Sequence, residues 1–229
     1  MKIGAIIQAR MNSQRLPGKV LRNIAGKPLL QYLLERTERC DGLDAVVVAT
    51  SEEASDQPIV DFCRDFGAAC MRGPLFDVAG RFKQVLDKCR FSAFVRVSAD
   101  SPLLDQRLID KAVKIFRQGD FEIVTNVLKR TYPTGQSVEV LNASTFMDGY
   151  KQMQNSEDRE HLTKFFYKNY KNFRIFNFVS ERDYSKQRLS VDTSKDLEII
   201  SSIIERMDRS HWQYDLEGIL KIYREVSKN

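Results

Sequence analysis

Short apolar runs alternate with amphipathic stretches over the first 125 residues. The apolar runs are rich in β-branched residues, which is typical of strands buried on both faces of a sheet. The stretches between them repeat apolar side chains at helical spacing, and several begin at proline or end at glycine. The pattern predicts strands at 2–8, 45–50, 68–72, 94–98 and 121–125, and helices at 28–41, 58–66, 78–89 and 108–116. This alternation predicts a three-layer α/β fold, in which a mostly parallel sheet carries helices on both faces.

The rhythm changes after Asn126. A turn-rich stretch at 129–136 is followed by predicted strands at 137–141, 173–179 and 189–191 and by helices at 142–154 and 157–170. Two further apolar stripes predict helices that close the chain. We expect one domain over residues 1–229, with an inserted subdomain at 129–184 that carries dimer contacts.

Composition narrows the class of protein. Hydrophobic residues make up 42% of the chain and charged residues 29%, which is too apolar for a disordered protein. No apolar run approaches the roughly 20 residues that span a bilayer, so we expect no membrane partner. The four cysteines form no Cys-x-x-Cys pair and indicate neither a disulfide framework nor a zinc site. We therefore expect a cytoplasmic protein.

The positive charge is concentrated near the N-terminus. Residues 1–40 contain eight basic and two acidic side chains, whereas the remainder is close to neutral. This clustering favours an anion site, although a solvated basic loop fits the composition equally well. A nucleic-acid-binding module is a further alternative, but no aromatic residues are interleaved with the basic cluster to stack bases.

The basic segment at 8–19 directly follows the first predicted strand. In α/β sheets, ligands bind at the carboxyl ends of the strands, so this loop lies where a phosphate group would bind. Arginine forks bind phosphate oxygens in pairs, and Gly18 allows the backbone to approach a ligand closely. The segment lacks the Walker A spacing. Its candidate anion ligands are Gln8, Ala9, Arg10, Asn12, Ser13, Arg15 and Lys19.

Two aspartates follow later predicted strands. Asp100 ends the strand at 94–98, and Asp192 ends the strand at 189–191. If they converge, their carboxylates could share one Mg²⁺ with phosphate oxygens and water. Helix capping is the alternative for both. Asp105 fits a cap, and Thr193 or Ser194 could cap the helix that follows Asp192 and leave Asp192 free.

Residues 9–19 read Ala-Arg-Met-Asn-Ser-Gln-Arg-Leu-Pro-Gly-Lys, which strongly resembles the signature of sugar-acid cytidylyltransferases. That family includes acylneuraminate cytidylyltransferase, CMP-KDO synthetase and the spore coat polysaccharide biosynthesis protein F group, which this chain resembles most. Weaker blocks follow in family order at 46–50, 72–82, 97–103, 132–140, 158–163 and 189–197.

The resemblance implies a Rossmann-like, GT-A-like nucleotidyltransferase fold and a Mg²⁺-dependent enzyme. The enzyme would transfer CMP from CTP to an acidic sugar and release pyrophosphate. It would act as a homodimer and would not bind nucleic acid. Arg10, Lys19 and Asp100 match catalytic positions, and Asp100 and Asp192 match the metal ligands. Further matches fall near the nucleotide at Arg72, Asp77, Arg81 and Ser98. Matches near the acceptor sugar and the 129–184 subdomain are Tyr132, Gln136, Glu139, Arg159 and His161.

The acceptor stays open at this point. Ser98-Ala99-Asp100 replaces the Gln-Gly-Asp that is usual in better-known branches of the family. Another nucleoside triphosphate, or a phosphonate, polyol-phosphate or sugar-phosphate acceptor, fits the same motifs. His161 could equally be a surface histidine that bonds to a neighbour.

Overall fold

A mixed sheet forms the centre of the protein in a computed structural model. The structure describes residues 1–227, so the last two positions of the predicted 1–229 domain lie outside the described residues. The strands are β1 Ile3–Gln8, β2 Asn23–Ile24, β3 Lys27–Pro28, β4 Ala45–Ser51, β5 Ala69–Gly73, β6 Ala93–Ser98, β7 Ile123–Thr125, β8 Glu139–Asn142 and β9 Ile175–Asn177. Seven of them form one sheet in the order β5-β4-β1-β6-β8-β7-β9, and β2 and β3 form a hairpin. In the seven-stranded sheet, β8 runs antiparallel to β6 and β7, whereas the other pairs are parallel.

Helices cover both faces of this sheet, so the predicted α/β fold is confirmed. Alternate residues of β1 show the two layers: Ile3, Ala5 and Ile7 belong to one apolar core, and Ile6 belongs to the other. The helices are α1 Leu29–Thr37, α2 Gln57–Phe66, α3 Val78–Cys89, α4 Gln106–Gln118, α5 Ala143–Gln152, α6 Ser156–Glu160, α7 Lys164–Lys168, α8 Ser194–Glu205 and α9 Leu216–Val226. Within residues 1–227, no helix is long and apolar enough to cross a membrane.

Two elements differ from the sequence prediction. The helix expected at 157–170 is divided into α6 and α7, and the break lets the Thr163 hydroxyl accept a hydrogen bond from Arg96 at 3.2 Å. The strand expected at 189–191 is an extended segment instead. It crosses between two loops, because Leu189 N–H donates to Thr134 and Val191 N–H donates to Asp100.

Residues 129–184 take part in the main sheet through β8 and β9. Their helices pack on the same core as β6, where Phe146 and Phe166 are fully buried beside Phe94. The role of this segment in acceptor binding and dimerisation stays a prediction.

A buried polar cluster ties α1 to the C-terminal part of the chain. The fully buried Arg36 donates hydrogen bonds to the carbonyls of Leu104 and Tyr214, at 2.8 and 2.7 Å. His211 Nε2 lies 2.8 Å from a Glu35 carboxylate oxygen. Burial lowers the pKa of His211 to about 4, although Glu35 opposes this shift. His211 is therefore neutral in the folded protein near pH 7.

This cluster predicts acid sensitivity. The folded pKa of His211 is below its unfolded value of about 6.5, so the unfolded chain takes up the proton first as pH falls. The stabilisation that His211 contributes is complete above pH 6.5 and is lost as pH falls towards about 4. We expect His211→Gln to reduce the slope of unfolding free energy against pH in this window. Urea unfolding at a series of pH values measures it, and an unchanged slope would contradict the assignment.

Candidate active site

A cleft of about 290 Å³ lies at the carboxyl ends of β1 and β6. Parallel strands bring their carboxyl ends to one edge, so the loops that follow them meet there. Most of the predicted site residues line this cleft: Gln8, Ala9, Arg10, Ser13, Arg15, Lys19, Arg81, Ser98, Asp100, His161 and Asp192. Glu160, which belongs to the motif block at 158–163, also lines it.

The basic loop after β1 is folded back on itself. The Met11 carbonyl accepts hydrogen bonds from Ser13 N–H at 2.9 Å and Gly18 N–H at 2.8 Å. Gly18 has φ +69°, a left-handed conformation that favours glycine. The Asp56 carboxylate holds the loop to the scaffold by accepting from Met11 N–H at 2.7 Å. This turn directs Lys19 inward, where its side chain is only 9% exposed.

Lys19 joins the two predicted aspartates. Its ammonium lies 3.2 Å from an Asp100 carboxylate oxygen and 2.9 Å from an Asp192 oxygen, and it donates to the Val191 carbonyl at 2.6 Å. Asp100 and Asp192 therefore converge on one point, although they are far apart in the chain. Charge-assisted bonds of this kind are roughly twice as strong as neutral ones.

Cations surround Asp192. Arg15 and Arg188 lie 3.2 and 3.0 Å from one of its oxygens. Burial opposes ionisation of Asp192, but the hydrogen bond from Lys19 and the charges of Lys19, Arg15 and Arg188 outweigh it and lower the pKa of this carboxyl. Among residues 1–227, no three His, Cys, Asp or Glu side chains cluster in a way that could hold a metal ion. Any divalent ion here would need ligands besides the two aspartates.

Neither aspartate caps a helix. Asp105 caps α4 by accepting from Arg107 N–H, as the sequence predicted. Thr193 caps α8 and forms a capping box with Asp196, so Asp192 is free for another contact.

Two arginines give the cleft further positive charge. Arg10 lies 3.4 Å from Glu160, and both side chains are partly exposed. Arg81 is 3% exposed, and its Nε and Nη1 find no hydrogen-bond partner in the part of the chain that the structure describes. Burial lowers the pKa of Arg81. An unpaired guanidinium at this depth is costly, so these donors suit an oxygen atom of a bound ligand.

A sequence model of a family described as cytidylyltransferase matches residues 4–222. The chain belongs to the cytidylyltransferase family. It is 33% identical over 211 residues to the spore coat polysaccharide biosynthesis protein SpsF of Bacillus subtilis, covering 88% of this chain and 85% of that protein.

Solved structures share the fold of this cytidylyltransferase. A cytidylyltransferase from Leptospira borgpetersenii superposes with a TM-score of 0.94 at 29% identity, covering 100% of this chain and 96% of that one. A CMP:2-keto-3-deoxy-manno-octonic acid synthetase, solved in complex with CTP, superposes with a TM-score of 0.71 at 19% identity, covering 90% of this chain and 99% of that one. The latter likeness concerns the fold alone. The expected Rossmann-like nucleotidyltransferase fold is thus confirmed.

Several predicted nucleotide contacts lie outside the cleft of the cytidylyltransferase. Asn12 donates to Ser55 at 3.1 Å on the surface. Arg72 is held by the carbonyls of Ser51 and Glu53, at 2.9 and 2.8 Å. These contacts hold the loop after β4, so both side chains serve the scaffold in this structure.

Asp77 and Arg159 also lie outside the cleft and bond to each other within the scaffold. Asp77 caps α3 through Gly80 N–H and lies 2.7 Å from the Arg159 guanidinium. Tyr150 donates to Asp77 at 2.8 Å, which completes the cluster. The pair therefore ties α6, whose end carries Glu160, to the start of α3.

The predicted acceptor residues are divided. Gln136 is fully buried, where it accepts from Asp105 N–H at 2.9 Å and donates to the Leu103 carbonyl at 2.7 Å. It lines neither the cleft nor the two cavities described next. Tyr132 lines a separate cavity beside Tyr184. Glu139 lines a cavity of about 170 Å³, called the second cavity below. It adjoins the cleft and shares Ser98, Asp100 and Asp192 with it.

This second cavity contains residues that the sequence did not single out: Arg96, Ser101, Thr134, Gly135, Ser137 and Ser190. They come from β6 and from three different loops, and single serines carry no recognisable spacing. All of them except Arg96 fall within the family motif blocks at 97–103, 132–140 and 189–197, but the motifs alone did not indicate that they line one cavity.

Gly135 controls how closely these loops approach. It has φ +93°, and a Cβ atom there would lie 2.5 Å from the Leu189 carbonyl carbon. Gly67 has a similar φ of +84° but open space around it. Both alanine variants should suffer backbone strain of about 1–3 kcal/mol. We expect Gly135→Ala to lower the urea midpoint clearly more than Gly67→Ala, and equal losses would contradict the close packing.

Proposed function

We propose that this cytidylyltransferase transfers CMP from CTP to an acidic sugar of the ulosonic or nonulosonic type, with Mg²⁺, and releases pyrophosphate. The CMP-sugar would serve the synthesis of a surface polysaccharide or glycan. The observation that carries the proposal is the convergence of Lys19, Asp100 and Asp192 at the end of the basic loop. The names of the Bacillus and CTP-bound relatives support the product class and the nucleotide.

The cations of the cleft suit a triphosphate. Arg10, Arg15 and Lys19 line one wall and would face the phosphate oxygens. Negative charge on the departing pyrophosphate grows in the transition state, so fixed cations lower the barrier more than they tighten substrate binding. The unpartnered donors of Arg81 would bind the ribose or base.

The donor set fits Mg²⁺. Asp100 and Asp192 supply two carboxylates, and Mg²⁺ in nucleotide sites commonly takes one or two carboxylates together with phosphate oxygens and water. The Lys19 ammonium brings one oxygen of each carboxylate to within 3.2 Å of itself, and a cation that binds both carboxylates needs them this close together. When bound, Mg²⁺ would neutralise phosphate charge and promote ionisation of a hydroxyl.

The transfer is balanced without an additional reactant. An oxygen of an acceptor hydroxyl attacks the α-phosphorus, and the bond from that phosphorus to the bridging oxygen breaks. Pyrophosphate leaves with the bond electrons, and the hydroxyl proton is released. Lys19 and Arg10 would hold the phosphates in line for this attack.

The acceptor would bind in the second cavity. It shares Asp100 and Asp192 with the cleft, so an acceptor hydroxyl there would lie beside the phosphates. Several serine and threonine hydroxyls line it, which suits a polyhydroxylated molecule.

We also propose that the protein acts as a cytoplasmic homodimer. Leu128, Phe176 and Val179 are exposed apolar residues on or near β9, the edge strand of the sheet. An exposed apolar edge of this kind commonly mediates association, and it falls within or beside the predicted subdomain at 129–184.

Pyrophosphate release tests the function. The protein is incubated with CTP, UTP, ATP or GTP and Mg²⁺, each with a panel of acidic sugars, sugar phosphates, polyol phosphates and phosphonates. We expect release with CTP and an acidic sugar. Release with another nucleotide or another acceptor class would identify that reaction instead, and no release with any pair would contradict the proposal.

The aspartate pair gives a sharper prediction. We expect Asp100→Asn and Asp192→Asn each to lower turnover by at least about 100-fold while the chain still unfolds cooperatively. The double variant should lose little more, because either substitution disrupts the shared site. Turnover and urea midpoints of the three variants measure this.

Asp215 provides a matched control, because it caps α9 by accepting from Gly218 N–H. Asp215→Ala should cost about 1 kcal/mol of stability and leave turnover near normal. If Asp100→Asn or Asp192→Asn behaved like this capping variant, that residue would not belong to the metal site.

A further inference from the structure

Two guanidinium groups rest on serines that line the second cavity. Arg130 donates from both Nη1 and Nη2 to the Ser137 hydroxyl, each at 3.2 Å. Arg188 donates from Nη1 to the Ser190 hydroxyl, also at 3.2 Å. Ser137 and Ser190 both face the cavity, so the arginines lie at its margin.

The charges around this cavity are not equivalent. Arg96 pairs with Glu139 at 2.5 Å, and Arg188 pairs with Asp192 at 3.0 Å. Lys19 bridges the two aspartates. Arg130, in contrast, forms no ion pair with a carboxylate anywhere in residues 1–227. It is therefore a positive charge, one hydrogen bond behind a serine of this cavity, that no carboxylate of the described chain pairs with.

An anionic acceptor needs such a charge. In the cavity it would approach the carboxylates of Asp100 and Asp192, and like charges a few ångströms apart repel strongly in a partly buried site. The cations of Lys19 and Arg188 are already engaged with these carboxylates. A free guanidinium fork binds a carboxylate with two parallel hydrogen bonds.

The loop that carries Arg130 is fixed in place. Thr134 N–H donates to the Gln187 carbonyl at 3.0 Å, and Leu189 N–H donates back to Thr134 at 2.7 Å. The bonds to Ser137 use two of the five guanidinium N–H donors, so three remain for a ligand. A positioned charge of this kind loses little conformational freedom on binding.

We propose that Arg130 binds the anionic group of the acceptor and makes the enzyme select acids over their neutral esters. This inference rests on the proposed function and assigns the selectivity to a residue outside the cleft motifs. The acceptor's anionic group would bind to Arg130, and the rest of the acceptor would contact the hydroxyl groups that line the cavity.

The test compares each of two acids with its methyl ester, which lacks the negative charge and carries one additional methyl group. The full-length enzyme is assayed with CTP and either 2-keto-3-deoxy-manno-octonic acid or its methyl ester, and with N-acetylneuraminic acid or its methyl ester. We expect the unsubstituted enzyme to prefer an acid. Arg130→Gln should raise the KM for that acid by about 10- to 100-fold, the loss typical of one charge-assisted bond. The KM for CTP should stay unchanged, and the preference for the acid over the ester should disappear.

Two further variants serve as controls. One keeps the charge at position 130 without the planar guanidinium, and the other removes an arginine elsewhere on the surface. Arg130→Lys keeps the charge but not the fork, so it should restore part of the acid preference. Arg206→Gln removes an exposed arginine at the end of α8 and should leave both KM values unchanged.

The outcomes distinguish this inference from the proposed function. If the enzyme uses an acid and Arg130→Gln keeps the acid preference, the role of Arg130 is wrong and the proposed function stands. If the enzyme uses CTP but no acid of the panel that tests the proposed function, the acidic acceptor class fails and the role of Arg130 falls with it. A loss that affects the KM for CTP as strongly as the KM for the acid would also overturn the inference.

Discussion

A buried ammonium that holds two carboxylates is the interaction on which the site depends. Lys19 bonds to Asp100, to Asp192 and to the Val191 carbonyl, and so joins three segments that are distant in the chain. Two carboxylates this close would repel each other without a cation between them. Because the ammonium is almost fully enclosed, it is screened little by solvent, and the attraction is stronger than in a surface ion pair.

The sheet makes this meeting possible. Strands β1 and β6 are parallel neighbours, with Gln8 in register with Ser98, so the loops that follow them start side by side. The segment before α8 then contacts both loops, because Val191 N–H donates to the Asp100 carbonyl and the Val191 carbonyl accepts from Lys19. Gly135 lets this crossing segment pack closely against the turn at 134–135. The cleft and the second cavity therefore share one wall.

Local patterns predicted what depends on local forces. The buried strands, the amphipathic helices and the caps at Asp105 and Thr193 follow from spacing and residue type, and the structure has them. Asp100 does follow the parallel strand β6, as predicted, whereas Asp192 reaches the same edge on an extended segment held by the bond from Val191 N–H to the Asp100 carbonyl.

Features set by tertiary contacts were not visible in the sequence. The break between α6 and α7 coincides with a hydrogen bond from Arg96, a residue far away in the chain. Gln136 was expected near the acceptor, but it satisfies buried groups at Leu103 and Asp105. Arg130 gave no signal, since its meaning depends on which neighbouring charges are already paired. Such pairing is a property of the folded surface rather than of any short segment.

The most direct test of the central interaction is to replace its cation. In Lys19→Met the two carboxylates lose their ammonium, so a divalent ion should take its place between them. Urea unfolding midpoints are measured for this variant and the unsubstituted protein, with and without millimolar Mg²⁺. We expect Mg²⁺ to raise the midpoint of Lys19→Met more than that of the unsubstituted protein, with no gain once Asp100→Asn and Asp192→Asn are added. Equal Mg²⁺ shifts in all three proteins would contradict a shared carboxylate site organised by Lys19.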